Sequence, residues 1–146
     1  MLRNARGFTV IEIISVILVL GILAALALPR LNTSGVGIYT SAQILRSDLR
    51  FLQRLAMARN PQTVGAIGIT FTNGATSYTI PDPSSIFNIT RNLPSGVSIA
   101  SPTKTISYNK YGEPEIAGAT DTVQLTDGTT TLTITVERYT GLVTLS

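Results

Sequence analysis

The chain contains no cysteine and no histidine. Disulfides, thiolate metal sites, cysteine nucleophiles and histidine-based triads or general bases are therefore excluded. Zinc, which draws on those two residues, is disfavoured. Only 13% of residues are charged, against roughly 25% in soluble domains, and the formal net charge of +3 is small. No P-loop and no G-x-G-x-x-G occurs. Serine, lysine and acidic residues are present but form no recognised catalytic spacing. The chain is expected not to be an enzyme and to need no metal or cofactor.

Apolar residues, by contrast, make up 44% of the 146 residues, and threonine occurs 21 times, which favours β-structure in part of the chain. The apolar residues are concentrated. Phe8 to Leu28 reads FTVIEIISVILVLGILAALAL, 21 residues with one charge, Glu12. As a helix this run spans about 31 Å, enough for a bilayer core. A buried core helix apolar on every face would need a large protein around it. Two readings follow. In one, Arg3 and Arg6 form the basic region of an ordinary secretory signal, and Ala25-Leu26-Ala27 supplies an A-x-A cleavage site. In the other, the segment is an anchor that stays in the mature protein. Glu12 favours the anchor. A carboxylate within an apolar span is costly, and a disposable signal gains nothing from it.

Gly7-Phe8-Thr9-Val10-Ile11-Glu12, after a short basic leader and before a long apolar helix, resembles the type IV prepilin motif. The resemblance implies a dedicated prepilin peptidase that cuts after Gly7 and N-methylation of the new terminal residue, Phe8. It implies that Glu12 neutralises the terminal amine of a neighbouring subunit during filament assembly. Two buried charges are tolerable when paired, which gives that role a physical basis. Gly21 and Pro29 fall where pilins carry helix-weakening residues.

Pro29 is poor inside a helix, and Asn32 to Gly37 contains several weak helix formers. A kink or frayed stretch is expected between Leu28 and Ile38. From about Tyr39 to Arg59 the pattern is helical. Leu45, Leu49, Leu52 and Ala56 share one narrow stripe, and Ile44, Phe51, Leu55 and Ala58 form a second beside it. The first can pack on a sheet. The second meets neighbouring subunits or belongs to a broad core. Arg46, Arg50 and Arg54 recur at i, i+4 and i+8 on the opposite face. They are read as a solvated face, as docking points for acidic surfaces of adjacent subunits, or as contacts for DNA or lipid phosphate. Asp48 lies within the apolar half of the helix, either at a wet rim or as one half of an intermolecular ion pair.

Beyond Asn60-Pro61 the period changes to two. Ala66–Thr72 reads as a strand, Asn73-Gly74 as a hairpin turn, and Ser77–Ile80 as the returning strand. Ile86–Thr90, Val97–Ala100, Thr105–Tyr108, Val123–Thr126, Thr131–Val136 and Leu142–Leu145 follow, with turns at Asn109–Gly112, Asp127-Gly128 and Tyr139–Gly141. Leu132, Ile134 and Val136 should face inward. Asp121, Asp127, Glu113 and Glu115 fall in or near loops. Their spacing matches no EF-hand, and they read as solvated acids. Asn88-Ile89-Thr90 fits a glycosylation sequon.

The expected fold class is α+β. A long N-terminal hydrophobic helix continues into an amphipathic helix, which packs on a small antiparallel sheet or sandwich, as in type IV pilins. The expected division is a cleaved leader over 1–7, a transmembrane and polymerisation helix over 8–29, an amphipathic helix over 30–60 and a β region over 61–146. One globular unit should run from Tyr39 to Ser146. Ile44 to Arg59 before a strand, then Tyr108 to Pro114 and the terminal Thr140-Gly141-Leu142-Val143, resembles the H-type pseudopilin (GspH/FimT) group of minor subunits.

That resemblance implies a structural subunit of a type II secretion pseudopilus or type IV pilus. Its partners would be other pilins or pseudopilins, prepilin peptidase, an inner-membrane assembly platform and the lipid bilayer. The basic leader stays cytoplasmic by the positive-inside rule, and the β region lies in the periplasm. Two alternatives remain: a binding module displayed on a filament, for DNA uptake for example, and a β-domain secreted after cleavage at Ala27. From Pro61 onward the chain has four basic and six acidic side chains, a net of −2, which disfavours duplex DNA.

Overall fold

A computed structural model describes residues 9–27, 34–82, 84, 86 and 88–146. The expectations at Gly7, Phe8, Pro29 and residues 28–33 lie outside the described residues. The chain divides into two units, Met1–Thr33 and Ser34–Ser146.

The first unit holds α1, Val10–Ala27. Gly21 sits inside this helix. Its large apolar side chains from Val10 to Leu23 are between 51% and 76% exposed. Ser15 donates its hydroxyl to the Ile11 carbonyl at 2.8 Å, so the helix satisfies its own hydroxyl. Among the described residues no helix is long and apolar enough to cross a membrane. α1 has 18 residues, against about 20 for a span.

The second unit begins with α2, Ser34–Arg59. Leu45, Leu49, Leu52 and Ala56 are fully buried, as their common stripe requires. The helix starts earlier than the fraying expected up to Ile38. Ile38 and Ala42 extend the same stripe and are also fully buried. Burying an isoleucine contributes about 1.5–3 kcal/mol, which exceeds the cost of about 1 kcal/mol for a helical glycine. The second stripe divides: Leu55 is buried, Phe51 is half-buried against the core, and Ile44 and Ala58 are exposed.

Among the described residues eight short strands follow: β1 Gly68–Phe71, β2 Ser77–Pro81, β3 Asn88–Asn92, β4 Ser98–Ile99, β5 Lys104–Ser107, β6 Thr120–Thr126, β7 Thr131–Glu137 and β8 Val143–Leu145. They form three antiparallel sheets, β1-β5, β2-β3 and β4-β6-β7-β8. α2 lies against β6, β7 and β8. On β7, Leu132, Ile134 and Val136 face this core and the intervening threonines alternate away from it.

The Asn73-Gly74 turn forms, with the Ala75 N–H donating to the Thr72 carbonyl at 3.1 Å, but the strands on either side of it do not pair with each other. β1 pairs with β5 and β2 with β3. Asn73 donates its side-chain amide to the carbonyls of Ala100 and Ser101 at 3.1 and 3.0 Å. The Gly74 N–H goes to Ile99 at 2.8 Å. The turn is therefore fastened to the segment around β4, and its hydrogen-bonding groups do not close a β1-β2 ladder. β1 and β2 still meet through the rings of Phe71 and Tyr78, 5.7 Å apart. The β1-β5 pairing needs glycine at position 68. A Cβ there would lie 2.9 Å from the Ser107 Cβ and 3.1 Å from the Ile106 carbonyl oxygen.

Asp127 anchors the β6-β7 turn by accepting N–H bonds from Thr130 at 2.7 Å and Thr129 at 2.9 Å. These bonds hold its carboxyl below the ordinary aspartate value. A lowered carboxyl stabilises the fold above its unfolded value, about 3.9, and loses that contribution as pH falls through its folded value. Unfolding measured across this acid window should show a shallower loss of stability for Asp127→Asn than for the native chain. Identical profiles would contradict the assignment.

Candidate functional site

Three constellations carry the polar chemistry of the chain. The first is the start of α1. The Thr9 carbonyl accepts the N–H groups of Glu12 at 3.1 Å and Ile13 at 3.3 Å, so Thr9 caps the helix. Glu12 reaches back, and its Oε2 accepts the Thr9 N–H and the Thr9 hydroxyl, each at 3.3 Å. A threonine followed three residues later by glutamate is the sequence form of a capping box, and here the glutamate supplies its half. Thr9 had no role in the sequence reading, although the T-x-x-E spacing was there to be read. The carboxylate also sits in the first turn, where the helix dipole favours negative charge.

The second constellation fastens α2 to the β2-β3 pair. Asp48 is 5% exposed. Its Oδ2 accepts the Tyr78 hydroxyl at 2.8 Å and the Arg91 Nε at 3.0 Å, and its Oδ1 accepts Arg91 Nη2 at 3.1 Å. This corrects both readings of Asp48 as a wet rim position and as half of an intermolecular pair. Its oxygens are engaged within the chain. Burial, and then the Asp48 charge, push the Tyr78 hydroxyl far above its ordinary value, so it stays a donor. The hydrogen bond to Asp48, reinforced by its charge, raises Arg91 in turn. Nothing in the sequence marked Tyr78 or Arg91, since the contacts join residues 30 and 43 positions away from Asp48.

The third is a groove of about 760 Å³ between α2 and the turn leading into β8. Arg46, Arg50 and Arg54 all line it. Arg46 Nε donates to the Val143 carbonyl at 3.1 Å, and Arg50 Nη2 makes a longer contact to it at 3.5 Å. Arg54 is exposed and holds no hydrogen bond or ion pair among the described residues. Below them Gln53 donates its amide to the Gly112 carbonyl at 2.8 Å. Gly141 adopts a positive φ of 64°, and a Cβ there would strike the Gln53 amide. The three arginines expected on a solvated face are therefore brought together as the wall of a groove.

The remaining acids are engaged one by one. Asp82 pairs with Arg59 at 2.9 Å and Asp121 pairs with Lys104. Asp121 is the second residue of β6, beside the loop that precedes it. Glu115 accepts the Gly65 N–H at 2.8 Å and the Ser107 hydroxyl at 2.7 Å. Glu113 accepts the Asn109 amide at 2.9 Å, and Glu137 the Thr140 hydroxyl at 3.1 Å. Among the described residues no three acids converge as metal ligands.

Residues 2–28 match the family described as the prokaryotic N-terminal methylation motif. No curated protein and no solved structure matches the chain. The motif supports a type IV pilin-like precursor that prepilin peptidase processes. The matched residues include Gly7, Phe8, Thr9 and Glu12, so the capped start of α1 lies inside the motif.

The Asp48 clasp makes a stability prediction. Arg91→Met leaves a buried carboxylate with Tyr78 alone. Arg91 itself is 44% exposed along its side chain, and solvent screens part of the pair. The expected cost is about 1–3 kcal/mol, read by equilibrium unfolding in denaturant. A variant as stable as the native chain would show that the clasp contributes nothing.

Proposed function

We propose that the chain is a minor structural subunit, a pilin or pseudopilin of the H-type (GspH/FimT) kind, in a type IV pilus or a type II secretion pseudopilus. The single observation that carries the reading is the methylation-motif match over residues 2–28, with a glutamate fixed in the first turn of an apolar helix. The exposure of α1's apolar side chains supports it further, because such a helix calls for lipid or for other helices around it.

The proposed sequence of events uses the residues as they stand. The run Phe8–Leu28 inserts into the inner membrane as a single span, with Arg3 and Arg6 cytoplasmic and the unit Ser34–Ser146 in the periplasm. Prepilin peptidase removes residues 1–7, and Phe8 is methylated on its new amine. At the assembly platform, α1 passes from lipid into a bundle of like helices. Glu12 then exchanges its two 3.3 Å bonds from Thr9 for the cationic amine of a neighbour's terminal residue. The amine brings a full positive charge where Thr9 offers only neutral donors, which favours the exchange where water is excluded. The role is structural, with no catalytic step.

Glu12→Ala and Glu12→Gln test this reading. Both should insert and remain in the membrane fraction, while their content in sheared filaments falls at least about tenfold, equivalent to 1.4 kcal/mol or more per subunit. Incorporation at the native level by either variant would remove the pairing from the account.

A further inference from the structure

Asn73-Gly74 is the single Asn-Gly step in the sequence, and β1 and β2 on either side of it pair elsewhere. An asparagine followed by glycine is chemically labile. The glycine main-chain nitrogen, once it has lost its proton, attacks the asparagine Cγ, and the missing Cβ of glycine leaves that approach open. Asn73 and Gly74 are both exposed, so water and base reach them. Burial does not protect this step.

Hydrogen bonds hold it instead. The Gly74 N–H donates to the Ile99 carbonyl at 2.8 Å, which keeps the proton on the nitrogen that would attack. The Asn73 amide donates to the carbonyls of Ala100 and Ser101 at 3.1 and 3.0 Å, which fixes the side chain that would be attacked. The Asn73 N–H goes to the Thr103 hydroxyl at 3.1 Å. The Ile99 N–H returns a bond to the Ala75 carbonyl at 3.0 Å. Reaction needs the Gly74 nitrogen freed from Ile99 and the Asn73 side chain turned away from residues 100 and 101. Its rate therefore follows the population in which the turn has come away from this segment.

We propose that Asn73 is a deamidation site, gated by the attachment of its turn to residues 99–103. In the detached turn the Gly74 nitrogen bonds to the Asn73 Cγ and the Cγ–Nδ2 bond breaks. The amide leaves as ammonia, carrying the proton that Gly74 gave up. The product is a cyclic imide. Water opens it at either carbonyl and leaves aspartate or isoaspartate at position 73. Water is the only co-reactant. For the fold the step is one-way. An ionised aspartate accepts hydrogen bonds and donates none from its side chain. The Ala100 and Ser101 carbonyls then lose their donor and face a negative charge. Isoaspartate adds a main-chain carbon, which shifts Gly74 from its place on Ile99. A chain that has reacted here cannot refasten the turn as before. The inference does not depend on the filament role.

The test incubates the full chain in detergent micelles beside a synthetic peptide of residues 69–77, in the same neutral buffer. Mass spectrometry counts aspartate and isoaspartate at position 73 over time. The folded chain should convert at least about tenfold more slowly than the peptide. Thr103 is exposed, and Thr103→Val removes the acceptor of the Asn73 N–H. That variant should convert about threefold faster than the native chain, or more. Asn73→Asp reproduces one product, and hydrogen exchange at its Gly74 N–H should be faster by about tenfold or more. The proposal is overturned if the folded chain and the peptide convert at one rate, if Thr103→Val converts no faster than the native chain, or if the Gly74 N–H of Asn73→Asp exchanges at the native rate.

Discussion

The apolar stripe of α2 is the surface against which the rest of the unit Ser34–Ser146 is assembled. Two of its three sheets are two-stranded, and an isolated pair of strands is marginal in water. The fully buried residues from Ile38 to Ala56 give them a common core with β6, β7 and β8. Once the stripe is fixed, the positions of other side chains follow from helical geometry. Asp48 falls on the flank that meets β2 and β3, where Tyr78 and Arg91 close on it. Arg46, Arg50 and Arg54 fall on the flank that meets β8. One helix thus separates a satisfied, buried charge from an unsatisfied, open set of charges.

The two units share a pattern of unmet demand. α1 presents apolar side chains along its described length, and water is a poor surrounding for such a helix. The groove presents guanidinium groups without carboxylates. Each demand is of a kind that another chain can meet, the first through helix packing and the second through charge. Glu12 stands at the junction of the two chemistries. It is a charge in an apolar helix, held by the cap at Thr9 through bonds of 3.3 Å that a cation can replace. This is the physical sense in which the methylation motif and the exposed apolar helix agree with the proposed role as a subunit of an assembly.

Much of this was legible in the sequence where one period governed the outcome. The stripe of Leu45, Leu49, Leu52 and Ala56 is a helical period, and the inward set of β7 is a strand period. Both appear as read. The turns at Asn109–Gly112 and Asp127-Gly128 also form, with positive φ at both glycines. The failures share a cause. Asn73-Gly74 forms its turn, but the turn is tied to residues 99–103 and the flanking strands take other partners. Gly35 and Gly37 argue against a helix locally, yet Ile38 and Ala42 are drawn into the core. Asp48 reads as exposed because its partners lie 30 and 43 residues away. Local pattern fixes an element's period, while tertiary contacts decide what it pairs with and where it begins.

The central claim is that the apolar N-terminal segment is retained as a polymerisation helix. The measurement that tests it most directly is the intact mass and N-terminal residue of the mature protein taken from its native cell envelope. The account predicts a chain beginning with N-methylated Phe8. A chain beginning at Leu28, as cleavage after Ala27 would produce, would contradict it, because Glu12 would then be lost with the signal.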